Sequence, residues 1–135
     1  MIECLIIGDS IAVGVSQVRT ECQSIAKSGI NSRDWNKKNL HKLKPTETLI
    51  ISLGANDYQG IETEVNIRKL RESVSAQRVF WLLPSRNLKP DQVRAVKFVA
   101  QDFNDTVIPR PERDISADGV HPTYKGYKVL GDLTK

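Results

Sequence analysis

The chain has 135 residues, with 20 Lys and Arg against 16 Asp and Glu, and a formal net charge of +4. Hydrophobic residues make up 39% and charged residues 27%, which is typical of a globular domain and excludes a disordered or fibrous chain. The length fits a single domain over residues 1–135, and no apolar run approaches membrane-spanning length.

Five short apolar runs alternate with helix-length segments. The predicted strands are Ile2–Ile7, Cys22–Ala26, Thr48–Leu53, Arg78–Leu83 and Thr106–Ile108. The predicted helices are Ile11–Val18, Asn31–Leu40, Glu62–Val74, Pro90–Phe103 and Thr123–Leu133. Strands that alternate with helices favour a parallel sheet covered on both faces. Right-handed crossovers then predict an α/β fold, a three-layer flavodoxin-like domain with a five-stranded parallel sheet.

Two helices carry recognisable apolar positions. The helix over 62–74 has Val65, Leu70 and Val74 among them. The helix over 90–103 is the clearest, since Pro90 suits its first turn. One side of that helix is marked by Val93, Val96, Phe98, Val99 and Phe103.

The two cysteines, Cys4 and Cys22, each lie in an apolar, strand-like stretch. Two thiols do not make a disulfide framework, and a free cysteine behaves as a small core residue. We therefore expect free thiols, although a bridge is geometrically conceivable if the first two strands are neighbours.

The segment 31–44 (NSRDWNKKNLHKLK) is locally basic, whereas elsewhere cations and anions are interleaved. A solvated helix and loop is the expected explanation. A patch that binds a polyanion is the alternative. We predict neither a nucleic-acid partner nor a membrane partner.

Three polar clusters come after predicted strands or in the loop before the last helix: Gly8–Ser10, Gly54–Asp57 and Asp118–Thr123. A parallel sheet brings such loops to one edge, where ligands bind in this class of fold. Residues far apart in the sequence can therefore meet there.

The residue types in these clusters suit acyl transfer. Ser10 needs a base to become a nucleophile, and His121 is placed to reach the same edge, whereas His41 lies in the basic segment. Asp118 stands three residues before His121 and can fix its tautomer. Ser10, His121 and Asp118 are thus the predicted catalytic residues, and no His/Cys spacing indicates a metal.

An acyl-transfer site also needs donors for the oxyanion. The candidates are the Ser10 N–H, the Gly29 N–H and the Asn56 side-chain amide. Asp9 and Asp57 are expected to hold their loops rather than to act as acids.

These residues resemble the SGNH hydrolases of the GDSL superfamily. GDSIAVG, KSGINSR, LGANDY and DGVHPTYKGY resemble four family blocks and match Ser10, Gly29, Asn56, Asp118 and His121 to the family's functional residues. The resemblance implies a flavodoxin-like fold, no metal or other cofactor, and hydrolysis of esters or thioesters.

Most members of that family are longer, so this chain should have an open cleft that suits an acyl group exposed on a polymer. A carbohydrate O-acetyl esterase acting on a glycan or small-molecule ester is the leading hypothesis. The alternatives are a short-chain esterase or thioesterase, a lysophospholipase, and a non-catalytic glycan-binding domain of the same fold. A nucleotide-binding protein would be expected to carry a P-loop or GxGxxG turn, and neither is present.

Three residues are candidate substrate contacts. Arg86 and Asn87 follow the fourth strand, and Tyr58 follows the third. Tyr58 and Trp35 could stack on a sugar ring, although packing is the commoner role for such residues.

The N-terminus lacks the features of a signal peptide. The compartments left open are the cytoplasm, release by lysis, a particle such as that of a phage, and a mature form trimmed of its signal.

Overall fold

The computed structural model describes residues 1–85, 87–111, 115–116, 118 and 121–135. The strands are β1 (Ile2–Gly8), β2 (Gln23–Ala26), β3 (Thr46–Ser52), β4 (Ala76–Leu82) and β5 (Thr106–Ile108). The helices are α1 (Ser10–Val18), α2 (Ser32–Asn39), α3 (Thr63–Glu72), α4 (Pro90–Asp102) and α5 (Tyr124–Leu133), with a 3₁₀ turn over Leu40–Lys42. The predicted alternation is confirmed, with ends shifted by one or two residues.

All five strands are parallel and follow the order β2-β1-β3-β4-β5. From β1, the chain first adds β2 on one side and then continues through β3 on the other. Loops diverge at such a reversal and leave a crevice at the carboxyl ends of the two central strands, here β1 and β3. The fold thus places a binding crevice immediately after Gly8 and Ser52.

The sheet is covered on both faces, as its continuous apolar strands require. Along β1, Leu5 and Ile7 pack towards α2, α3 and α4, whereas Cys4 and Ile6 pack towards α1 and α5. Successive side chains of a strand point to opposite faces, so one strand contributes to two cores. The predicted three-layer fold is confirmed.

Two of the apolar helix positions, Val65 and Phe98, face solvent. Val65 is 58% exposed and Phe98 is 56% exposed. In α3 the buried positions are Thr63, Ile67 and Leu70, spaced by four and three residues, which leaves Val65 on the outer face. Phe98 lies on the exposed side of α4, with the Arg68 guanidinium carbon 6.0 Å from its ring centroid.

The expectation of free thiols is also wrong, because Cys4 and Cys22 form a disulfide. Leu5 lies opposite Gln23 in the parallel β1–β2 pair, so the two preceding residues are brought together across the same pair. Their Cα atoms are 4.7 Å apart, within the range a disulfide spans. In the described part of the chain, no helix is long and apolar enough to cross a bilayer.

Candidate active site

A tight turn between β1 and α1 positions the candidate nucleophile. Gly8 has φ +133°, and a Cβ there would lie 1.8 Å from the Ser52 carbonyl oxygen, so only glycine fits. The Asp9 N–H donates to that carbonyl at 2.9 Å. Asp9 then caps α1 by accepting from the Ile11 N–H at 3.1 Å. Ser10 is consequently the first residue of α1, at the carboxyl edge of the sheet.

Asp9 holds this turn, as predicted, from a buried position. Its Oδ1 also accepts from the Ser52 hydroxyl at 2.8 Å, whereas no donor among the described residues contacts Oδ2. Burial raises the pKa of the Asp9 carboxyl to about 6, against the opposing effects of Ser52, the α1 backbone amides and the Arg110 charge. The carboxyl therefore titrates far above an ordinary aspartate.

A continuous chain of hydrogen bonds joins three predicted residues. Ser10 Oγ lies 2.9 Å from His121 Nε2, and His121 Nδ1 lies 2.8 Å from Asp118 Oδ2. The tautomer with its proton on Nδ1 satisfies both contacts, because Nδ1–H donates to the carboxylate and Nε2 accepts from the serine hydroxyl. The structure thus brings together a hydroxyl, a base and the carboxylate that orients the base.

The Asp118 carboxylate is fixed within its own loop. Its Oδ1 accepts from the Ser116 hydroxyl at 2.6 Å and from the His121 N–H at 3.0 Å. The Ser116 N–H donates to the His121 carbonyl at 2.8 Å. These bonds hold acid and base in register although both are exposed.

The three candidate oxyanion donors follow three adjacent strands. Ser10 follows β1, Gly29 follows β2, and Asn56 follows β3. Gly29 has φ +83° in a turn closed by a bond of 3.2 Å from the Ile30 N–H to the Lys27 carbonyl. Glycine tolerates this φ without strain.

The Asn56 amide is oriented by one bond, which its Nδ2 donates to the Ile30 carbonyl at 3.0 Å. An amide nitrogen carries two hydrogens. One of them ties the β3–α3 loop to the β2–α2 loop, and the other is the candidate oxyanion donor.

Asp57 ties the same two loops together, in the structural role predicted for it. This fully buried carboxylate accepts from the Ser32 N–H at 2.8 Å, the Ser32 hydroxyl at 2.7 Å and the Thr63 hydroxyl at 2.6 Å. The Lys89 ammonium donates to the Asp57 carbonyl at 2.9 Å. These contacts fix the backbone next to Asn56.

No model of a protein family matches the sequence, and no curated relative matches it. Solved structures do match. A protein from Bacteroides fragilis proposed to be an acylhydrolase has a TM-score of 0.70 and 19% identity, over 97% of this chain and 83% of that one. Est24, a carbohydrate acetylesterase from Sinorhizobium meliloti, has a TM-score of 0.66 and 14% identity, over 98% and 96%. The catalytic domain of the Streptococcus pneumoniae peptidoglycan O-acetyltransferase A has a TM-score of 0.62 and 16% identity, over 96% and 88%.

This chain has the SGNH hydrolase fold. Two of the three candidate substrate contacts, Asn87 and Tyr58, are among the described residues. Arg86 falls outside the described residues. Asn87 lines a cavity of about 460 Å³ at the carboxyl ends of β4 and β5. Tyr58 is 56% exposed. Trp35 is fully buried and donates to the Ile25 carbonyl at 3.0 Å, so it is a core residue and not a stacking surface.

Two residues at this edge of the SGNH fold, Ser116 and Arg110, were not identified from the sequence. Ser116 holds Asp118, and only its position two residues earlier could have indicated that role. Arg110 follows β5, lines the cavity, and interacts electrostatically with Asp9, Asp118 and Tyr127. Burial lowers the pKa of the Arg110 guanidinium, and the three neighbours oppose that effect. Nothing in the local sequence marks Arg110 except its place after a strand. In the described ranges, no group of three or more His, Cys, Asp or Glu side chains is arranged to hold a metal ion.

Proposed function

We propose that this protein is a serine hydrolase of carboxylic esters, and that it removes O-acetyl groups from a carbohydrate. The observation that carries the proposal is the bonded chain from Ser10 through His121 to Asp118, with contacts of 2.9 and 2.8 Å. It lies at the crevice where this class of fold binds ligands. A domain that only bound glycans would need no such chain.

The geometry supports a two-step acyl transfer. Ser10 Oγ attacks the ester carbonyl while His121 Nε2 takes its proton, and Asp118 stabilises the resulting imidazolium. The N–H groups of Ser10 and Gly29 and the Asn56 amide bind the oxyanion of the tetrahedral intermediate. His121 then protonates the departing alkoxide, which leaves an acyl-serine. His121 then deprotonates a water that attacks the acyl carbonyl. The bond to Ser10 Oγ breaks, the acid departs, and His121 returns the proton to Ser10.

Two features favour a small acyl group on a carbohydrate. Asp9 is the only residue between β1 and α1, so that connection cannot form a cover over Ser10. Two structurally similar proteins are a carbohydrate acetylesterase and a peptidoglycan O-acetyltransferase. An open crevice admits an acetyl group attached to a large acceptor.

The test uses Ser10→Ala with Ser24→Ala as the matched control, because Ser24 is an exposed serine on β2. A fluorophosphonate probe should label the wild type and the Ser24→Ala variant at Ser10. Both should release acetate from p-nitrophenyl acetate and from an acetylated glycan such as xylan or peptidoglycan. The Ser10→Ala variant should do neither while keeping its circular dichroism spectrum. Labelling at another residue, or turnover by Ser10→Ala, would overturn the assignment.

A further inference from the structure

The basic segment is not explained by the proposed chemistry. Together with the four residues before it, the basic segment covers residues 27–44, which contain six cations and one acid, Asp34. All six cations are exposed: Lys27, Arg33, Lys37, Lys38, Lys42 and Lys44. A concentration of one sign on one side of a protein attracts ligands of the opposite sign. The cations of α2, namely Arg33, Lys37 and Lys38, form an exposed surface that favours an anion, which we call the basic face.

The basic face starts at the candidate active site. Helix α2 begins at Ser32, directly after the loop that carries Gly29. Its inner side is fixed by the buried residues Trp35 and Asn36. Arg33 and Lys37 are four residues apart and are neighbours on the outer side. Arg33 and Lys37 thus lie along α2, which leads away from the loop that carries Gly29.

The exposed ring of Tyr58 contacts the basic face through Arg33. Tyr58 is two residues after Asn56, and its hydroxyl accepts from Arg33 Nη2 at 2.9 Å. The Arg33 guanidinium carbon lies 5.8 Å from the Tyr58 ring centroid. Hydrogen bonding to Tyr58 raises the pKa of Arg33. The pair is held in place although Tyr58 is 56% exposed, so its ring and cation are available together.

The groove next to Tyr58 carries acids and cations together. It lies between the N-terminal ends of α3 and α4 and is lined by Glu62, Glu64 and Asp91. Glu64 pairs with Arg68 at 3.6 Å, and Asp91 pairs with Arg94. Its cation Lys89 is engaged by the Asp57 carbonyl. This groove therefore offers an anionic chain no excess of positive charge, whereas the basic face does.

We infer that the ester is carried by an anionic polysaccharide, with a sugar ring stacked on Tyr58 and carboxylate or phosphate groups bound by Arg33 and Lys37. This inference rests on the proposed function and specifies its substrate class. Arg33 Nε contacts Asp34 Oδ1 at 3.4 Å, and the N–H groups that Asp34 and Tyr58 do not use can pair with an anion. Lys37 contributes as a mobile point charge.

Salt sensitivity separates this inference from a neutral substrate. Exposed charges are screened over about 8 Å at physiological ionic strength. Raising salt from about 20 to about 500 mM should lower kcat/KM on an O-acetylated polyuronate at least about tenfold. The rate on an O-acetylated neutral mannan should change little. An acetylated phosphodiester-linked glycan, run in parallel, identifies which anion is preferred.

Charge-removing variants assign the effect to the basic face. Arg33→Gln with Lys37→Gln should lower the ratio of kcat/KM on the polyuronate to that on the mannan by about tenfold. Lys69→Gln with Lys128→Gln removes the same charge from exposed positions on α3 and α5 and should leave the ratio unchanged. Equal rates on both polymers, or equal losses in both double variants, would overturn the inference.

A binding assay keeps the inference independent of catalysis. The Ser10→Ala variant should be retarded in a gel containing deacetylated polyuronate, and salt should abolish the retardation. Adding Tyr58→Ala or Arg33→Gln should weaken it. Absent esterase activity with retained binding would sink the proposed hydrolase but not the anionic ligand. Activity on acetyl esters without retardation in the gel would overturn the anionic ligand and leave the proposed hydrolase standing.

Discussion

Asn56 illustrates how one hydrogen bond can prepare a residue for another. Its amide is held by the Ile30 carbonyl at 3.0 Å, and the adjacent Asp57 is anchored by Ser32 and Thr63. A donor fixed before the substrate arrives costs no reorganisation when charge develops on the oxyanion. The value of Asn56 should therefore appear in the transition state.

We predict that Asn56→Ala lowers kcat on p-nitrophenyl acetate by about 10²–10³, with little change in KM. Steady-state kinetics measure this directly. Loss of the bond to Ile30 should also cost stability, by about 1 kcal/mol, which thermal unfolding would report separately. An increase confined to KM would make Asn56 a ground-state substrate contact instead.

Asp9 differs from Asn56, because its buried negative charge lowers the stability of the native state. Burial raises its pKa to about 6, above about 3.9 in an unfolded chain. Between about pH 4 and 6 the native state binds more protons than the unfolded state, so stability falls as pH rises. This rise in the Asp9 pKa corresponds to about 3 kcal/mol of unfolding free energy lost at neutral pH.

Asp9→Asn should therefore flatten the fall in unfolding free energy between about pH 4 and 7. Its Oδ1 can still accept from Ile11 and Ser52, although the new amide nitrogen needs a partner and offsets part of the gain. Urea denaturation at several pH values measures the slope. Glu47→Gln, at an exposed position on β3, is the control and should keep the wild-type slope. An unchanged slope in Asp9→Asn would show that Asp9 is not the titrating group.

At the scale of elements, the Cys4–Cys22 disulfide joins β1 to the start of β2, an edge strand of only four residues. Short strands contribute few ladder bonds, so a covalent link to the central strand supports the edge that carries Gly29. The bridge closes a separation of 18 residues. The chain-entropy model gives about 3 kcal/mol for a loop of this size.

Replacing both cysteines by alanine should lower the unfolding free energy by about 2–4 kcal/mol. The mid-strand position of Cys4, away from Ser10, predicts that kcat survives at temperatures where the variant is folded. Reduced wild-type protein should unfold at the same urea concentration as the double variant. A wild type insensitive to reductant would contradict the predicted contribution.

The elements predictable from sequence were those with a continuous apolar pattern. Strand β1, for example, has an unbroken run of buried apolar residues from Cys4 to Ile7. Helix faces were harder, because Val65 and Phe98 are apolar yet point outward. The disulfide could not be predicted, since it depends on strand order and register.

The candidate site was predictable in its residues but not in its supports. Ser10, His121 and Asp118 lie in recognisable motifs, and the topology of a parallel sheet brings their loops together. The contacts of Ser116 with Asp118 and of Arg33 with Tyr58 are ones that no local pattern specifies. Arg86 lies outside the described residues, so its role stays a prediction.

At the scale of the whole molecule, the crevice should favour short acyl groups. Each methylene contributes about 0.8 kcal/mol only when fully buried, and the direct connection from β1 to α1 provides no apolar cover. The cavity lined by Leu83, Val93 and Ile115 lies at the ends of β4 and β5, two to three strand spacings of about 4.8 Å from β1.

We predict that kcat/KM on p-nitrophenyl esters is highest for acetyl or propionyl and falls by octanoyl. Val93→Phe, which would narrow the cavity, should leave this order unchanged. A rise towards octanoyl that Val93→Phe abolishes would assign the cavity to the acyl chain. The protein would then be a lipid esterase or thioesterase.

The hydrogen bond between Ser10 and His121 spans 111 positions of the chain, whereas that between His121 and Asp118 spans three. The bond between His121 and Asp118 can therefore form locally, whereas the bond between Ser10 and His121 requires segments from near the two ends of the chain to meet. Contacts of such high sequence separation form late and slowly in parallel α/β folding, because loop closure must precede them. During refolding, recovered turnover should lag behind recovered helical signal, and ester hydrolysis would serve as a clock for the docking of the last loop and helix.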